Sequence, residues 1–163
     1  NDTWKRGFEH GVRFVLSTML VFGLLAACDK ELTVDQQIIA TIRNMEYAAE
    51  EGFHLEFMGF IEDTFDGQQG SMDRLEFHRF MLFQINQHRR LQAQLFPIYV
   101  EEISEETAAA SFKVLVTGGA GLLPDSGQLF EVDTFWLRVG GDWELNGADW
   151  EVVRLPDVQT GSN

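Results

Sequence analysis

Residues 129–150 read LFEVDTFWLRVGGDWELNGADW, and this stretch decides the fold. Gly140-Gly141 separates two long strands, since a glycine pair tolerates the positive φ angles of a tight hairpin turn. Before the turn Phe130, Val132, Thr134 and Trp136 share one face, while Glu131, Asp133, Phe135 and Leu137 share the other. After it Trp143 and Leu145 share a face, and the chain runs past Gly147 to Trp150. Three of the four tryptophans lie in this hairpin, so it is expected to back the main core.

Upstream of the hairpin lies a loop at residues 118–127, with four glycines and Pro124. Before it, Phe112, Val114 and Val116 alternate with Ser111, Lys113 and Leu115, the period of a strand. Ser104-Glu105-Glu106 reads as a turn. Earlier still, Leu91, Ala93 and Leu95 alternate with Gln92 and Gln94, but past Pro97 the apolar set becomes Phe96, Ile98 and Val100. That change of parity at a proline predicts a bulge or bend in one strand. The count is four strands in an antiparallel meander.

The residues before the strands are helical. Thr33 and Gln36 form a capping-box pattern, Val34, Ile38, Ile42, Met45 and Ala49 recur at spacings of three and four, and Gly52 is a C-terminal stop. Ile39 and Ala48 widen this stripe. Residues 53–65 are expected to form a shorter helix with Phe57, Met58, Ile61 and Phe65 turned inward, ended by the polar loop 66–70. Ser71 can cap a third helix, to about His88, whose apolar residues spread round most of its circumference. Three helices followed by strands are a segregated α+β arrangement.

These features resemble the nuclear transport factor two-like superfamily, also called SnoaL-like or ketosteroid-isomerase-like. The resemblance rests on the helix running to Glu51-Gly52, the junction HRRLQAQ at residues 88–94, and the pattern FEVDTFWLRVGGDWELNGADW at residues 130–150. It implies a cone with a cystatin-like fold: three helices packed on a curved four-stranded antiparallel sheet, with a cavity at the open end. It covers residues 33–153. Members include isomerases, cyclases, dehydratases and domains that only bind or associate, so the resemblance implies architecture and not one activity.

The N-terminal residues carry an address. Lys5, Arg6 and Arg13 flank the uncharged apolar run FVLSTMLVFGLLAA at residues 14–27. As a helix this run would rise about 21 Å, short of a membrane span, and it fits the apolar region of a signal peptide. It ends in Leu25-Ala26-Ala27-Cys28, which resembles a bacterial lipobox; Cys28 is the sole cysteine. A buried core cysteine is the alternative, but Asp29, Lys30 and Glu31 follow at once. The resemblance implies lipidation at Cys28, and Asp29 resembles the signal retaining lipoproteins in the inner membrane of some Gram-negative bacteria. The expected organisation is a lipoprotein signal peptide (1–27), a lipidated N-terminus and linker (28–32), the domain (33–155) and a loose tail (156–163).

Removing residues 1–27 takes three of the 12 basic and two of the 26 acidic side chains, leaving a net charge of −15. Such a surface repels nucleic acid and anionic headgroups, so the lipid must supply the membrane attachment.

Candidate chemistry is sparse. A ligand in the cone is expected to meet Tyr47, Phe57, His78, Phe80, Met81 and Trp136, an apolar lining able to hold an apolar ligand. Neither His78 nor Tyr47 has a partner visible in the sequence, and Asp133 has outward parity. Glu50 and His54 stand at i,i+4, a spacing that can share a metal, but two ligands alone read more plainly as a surface pair. Residues 118–121 (GGAG) lack the following Gly-Lys-Ser/Thr of a phosphate loop. No catalytic set, metal or cofactor is therefore expected. Phe135 and Leu137 sit where water would otherwise be, which suggests a homodimer interface. The reading is a lipid-anchored cell-envelope domain facing the periplasm or the outside, binding an apolar ligand or a protein partner without catalysis. Its rival is a small isomerase or cyclase.

Overall fold

A computed structural model describes residues 32–87, 91–118 and 126–154. The expected signal peptide, Cys28, residues 88–90 and the tail from 156 lie outside the described residues. These form three helices and seven strands: α1 (Val34–Glu51), α2 (His54–Met58), β1 (Ile61–Gly67), β2 (Met72–Asp73), α3 (Arg74–Gln87), β3 (Leu91–Leu95), β4 (Tyr99–Ser104), β5 (Thr107–Gly118), β6 (Ser126–Val139) and β7 (Asp142–Val152). The architecture is α+β as expected, but the sheet has seven strands and not four.

The sheet order is β2-β1-β7-β6-β5-β3, with β4 also paired to β5, and every pairing is antiparallel except β1 with β7. Two of the extra strands come from residues expected to be helix and loop. Phe57, Met58, Ile61 and Phe65 are all buried, but α2 ends at Met58 and the chain becomes extended at Ile61. The reason is tertiary pairing. Ile61 lies beside Leu145, whose N–H donates to the Phe60 carbonyl at 2.8 Å, so β7 recruits this segment into the sheet. The third arises at Pro97, where the expected single strand divides into β3 and β4 on the same side of β5.

Helix α1 begins with the expected capping box, in which the Thr33 N–H donates to Gln36 Oε1 at 3.2 Å. It ends at Gly52 with φ of 76°, where Phe53 N–H reaches the Ala48 carbonyl (2.8 Å) and Gly52 N–H that of Ala49 (3.3 Å). Ile38, Ile42, Met45, Ala48 and Ala49 are its buried stripe. Helix α3 starts later than expected. Ser71 Oγ donates to the Gln68 carbonyl, and the capping box is made instead by Asp73 and Glu76, each accepting from the other's backbone N–H at 2.8 and 3.0 Å. Arg74, next in the chain, donates to the carbonyls of Ile61 (3.2 Å) and Met58 (3.1 Å), tying α3 to the turn between α2 and β1.

The β6–β7 hairpin forms at Gly140 and Gly141, with φ of 62° and 104°. Phe130, Val132, Thr134 and Trp136 face the helices, and Thr134 and Trp136 are buried. Between the pairs Phe135–Gly147 and Trp136–Leu145 the register shifts, leaving Asn146 as an extra residue. That bulge switches parity, so Ala148 and Trp150 point to the same side as Trp143 and Leu145. Trp143 also fixes α1 on the sheet, its indole N–H donating to Gln37 Oε1 at 3.1 Å.

Candidate functional site

The inner wall is a packed aromatic cluster centred on Phe77. Its ring centroid lies 4.7 Å from Phe65, 5.9 Å from Trp150, 6.1 Å from Phe57 and 6.5 Å from Phe80, and Phe80 stacks on Trp150 at 5.6 Å. Such pairs add about 0.5–1.5 kcal/mol each beyond the area they bury. Four elements separated in sequence meet here: α2 brings Phe57, α3 brings Phe77 and Phe80, β1 brings Phe65, and β7 brings Trp150. Of the residues named from sequence, Phe57 and Phe80 belong to this cluster, and Met81 packs against the core beside them. Phe65, Phe77 and Trp150 were legible as apolar but not as its hub.

Trp136 has no exposed surface, and its indole N–H donates to Thr134 Oγ1 at 2.8 Å. The Thr134 hydroxyl in turn donates to the Ala110 carbonyl at 2.7 Å. Trp136 therefore works as core, its one polar atom satisfied. Tyr47 is 58% exposed, and its ring contact is an edge-on one with Phe53. It sits at the outer end of α1 and not with the cluster. Thr134 is the one buried polar or charged residue among the described residues.

His78 is different. Its ring stacks on His54 with centroids 5.9 Å apart and planes 22° from parallel, and its Nε2 is buried without a hydrogen-bond partner. An orphaned buried nitrogen of this kind costs about 1–3 kcal/mol. The expected Glu50–His54 pair is divided between two tasks. Glu50 Oε1 accepts the Ala93 N–H at 2.7 Å, tying α1 to β3, while His54 faces His78. Among the described residues, no group of three or more His, Cys, Asp and Glu is placed to hold a metal.

The opposite sheet face carries the other candidates. Phe135 is 37% exposed and Leu137 half-buried, and Val139 follows them in phase at the end of β6. Tyr99, 74% exposed, shares this face through its pairing with Ser111, which pairs with Asp133. Polar residues rim the apolar ones: Ser111 donates to Asp133 at 2.6 Å, and Lys113 lies 3.8 Å from Glu131. Asp133 is thus an exposed strand carboxylate, in keeping with its parity.

An acidic group occupies the β1–β7 margin. The Glu62 carboxylate accepts from the Thr64 hydroxyl, the Thr64 N–H (2.7 Å) and Asn146 Nδ2 (3.0 Å), and these bonds hold it below the usual range. Glu144 is pushed up, first by burial and then by the negative charges of Glu62, Asp63 and Asp142. A carboxyl raised in the folded state costs stability when ionised, and that cost fades as acid neutralises it. Glu144→Gln is therefore expected to raise the melting temperature near neutral pH, with the gain shrinking toward about pH 3. The lowered Glu62 has the opposite sign: its contribution is present above the unfolded carboxylate range and lost as pH falls through its folded value. Glu62→Gln should lower the melting temperature near neutral pH. Thermal unfolding by circular dichroism across pH checks both; a Glu144→Gln protein that melts lower at neutral pH would contradict the assignment.

No protein-family model and no curated protein matches the sequence. Solved structures do match. Bd1075 of Bdellovibrio bacteriovorus superposes with a TM-score of 0.64 at 8% identity, over 74% of this chain and 41% of that one. A candidate dehydratase of the NTF2-like family from Streptomyces avermitilis gives 0.62 at 15% identity, over 74% of this chain and 96% of its own. The fold is NTF2-like. A candidate calcium/calmodulin dependent protein kinase II association domain from Xanthomonas campestris gives 0.64 at 9% identity, over 81% and 95% of the two chains. Further neighbours, from Nostoc punctiforme and Caulobacter vibrioides, are described as having a cystatin-like fold. At these identities the likeness is one of fold alone, and within the NTF2-like fold activity has to be argued from the site.

Proposed function

We propose that this chain is a lipid-anchored NTF2-like domain of the bacterial cell envelope that binds a small apolar ligand or a protein partner without catalysis. The observation that carries the reading is the inner wall itself. Acid–base turnover needs a positioned proton donor and acceptor. Yet Thr134, the one buried polar residue described, has its hydroxyl committed to Ala110 and Trp136, and the buried Nε2 of His78 has no hydrogen-bond partner to position it. Phe80 and Met81, partly buried, leave apolar surface beside it, while Phe57 is buried within the core. On the other side of the sheet, Phe135 and Leu137 suit a second copy of the chain. The neighbours' names are compatible with either kind of role, one being a candidate dehydratase and one a candidate association domain.

Attachment to the membrane rests on Cys28 after the apolar run, and Asp29 favours the inner membrane in a Gram-negative host. The strongly acidic surface argues against nucleic acid as a partner. Replacing Cys28 by Ala is expected to abolish incorporation of a radioactive fatty acid in cells; undiminished label on the variant would contradict the anchor. One observation favours the rival isomerase or cyclase reading. His78 Nε2 is buried and unpartnered beside His54, an atom a polar substrate group could engage.

A further inference from the structure

The strand at one end of the sheet is β3, and it has a feature unlike the rest. Phe96 N–H donates to the Lys113 carbonyl at 2.9 Å, which fixes the phase of the β3–β5 ladder. In antiparallel pairing the hydrogen-bonded residues alternate. Gln94 opposite Leu115 and Gln92 opposite Thr117 therefore bond to β5, while Leu91, Ala93 and Leu95 direct their N–H and C=O groups away from it. Among the described residues no strand pairs with that side.

What meets the edge there is a carboxylate. Glu50 Oε1 accepts the Ala93 N–H at 2.7 Å, in the place a neighbouring strand's carbonyl would take. Alongside runs a cleft of about 340 Å³, walled by Arg43, Glu46 and Glu50 of α1 on one side and by Gln92, Gln94 and Thr117 on the other. Arg43 is already paired with Glu46 at 3.0 Å, so among the described residues lining the cleft Glu50 is the carboxylate without a cation. The whole chain adds a net charge of −14.

We propose that β3 is the docking edge for an extended basic segment of a partner polypeptide, which adds as a further strand along this cleft. A carbonyl of the segment takes over the Ala93 N–H, and the displaced Glu50 carboxylate pairs with a Lys or Arg of the segment. The remaining edge groups of Leu91 and Leu95 supply the next backbone bonds. The five residues of β3 span about 17 Å, enough for a segment of similar length. This surface is separate from the aromatic wall and from the Phe135 face, so it stands or falls independently of them.

The probe is a fluorescein-labelled peptide alternating Lys and Val over six residues, titrated against the full chain by anisotropy. Two further peptides carry backbone N-methyl groups, one on every Lys nitrogen and one on every Val nitrogen. Strand addition uses the N–H groups of one phase only. One methylated peptide should bind within about twofold of the parent, and the other should weaken by about tenfold or more. Glu50→Gln should weaken the parent peptide, and a Glu-Val peptide should bind less tightly still. Amide hydrogen exchange should slow at Leu91 and Leu95. No saturable binding, equal effects of the two methylation phases, or protection confined to other strands would overturn the proposal.

Discussion

Trp136→Ala is expected to lower the unfolding free energy by about 3–5 kcal/mol, a large part of the roughly 5–15 kcal/mol that holds a domain folded. The indole has no exposed surface, and it stands where β6 faces the helices, so its removal leaves a void that close-packed neighbours refill only in part. Its N–H is also one end of a short chain of bonds, to Thr134 Oγ1 and on to the Ala110 carbonyl. Thr134→Val keeps the shape but strands the indole N–H, which should cost about 1–3 kcal/mol. Urea unfolding followed by far-ultraviolet circular dichroism measures both. A Trp136→Ala protein within about 1 kcal/mol of the parent would contradict the placement of Trp136 at the centre of the core.

The second large effect concerns assembly. In a two-fold dimer Phe135 and Leu137 each occur twice, so four side chains leave the interface when both are changed to Lys. If each contributes about 1.4 kcal/mol, the dissociation constant of the dimer rises by about four orders of magnitude. The expected product is a folded monomer, since these residues lie on the sheet face away from the helices and Phe135 is already 37% exposed. Light scattering at tens of micromolar reads the outcome. A parent protein that is already monomeric there would remove the interface from the account.

Much of this fold is written locally. Thr33 with Gln36, the stripe from Ile38 to Ala49 and the stop at Gly52 specify α1 without help from elsewhere. Gly140-Gly141 and the alternation before it specify the hairpin and the inward set ending in Trp136. What the chain conceals depends on distant partners. Phe57, Met58, Ile61 and Phe65 have a spacing that suits a helix, and only pairing with β7, some 80 residues later, makes the second half a strand. The Asn146 bulge leaves only a change of parity, from Trp143 and Leu145 to Ala148 and Trp150, and two residues on either side are too few to mark it.

The candidate site divides in the same way. Phe57, Phe80 and Met81 could be named because helical periodicity turns them inward. Phe77 was visible as one apolar residue among many on α3, and nothing in its neighbours reveals that Phe65 and Trp150 converge on it. Tyr47 has the chemistry for a site, but its place near the end of α1 leaves it against Phe53 and largely in water. His78 is the reverse case: the sequence shows a histidine on an apolar helix, whereas the stacking on His54 and the orphaned Nε2 are consequences of how α2 and α3 meet.

That orphaned atom sets the decisive measurement. The protein is incubated with a panel of enolisable ketones and polyketide-like substrates, and product formation is followed beside a no-protein blank. Apolar members of the panel are expected to bind without turnover, because among the described residues no hydrogen-bonded acid–base pair lines the aromatic wall. Turnover above the blank that disappears in His78→Ala, with the fold intact by circular dichroism, would contradict it and make the domain an enzyme.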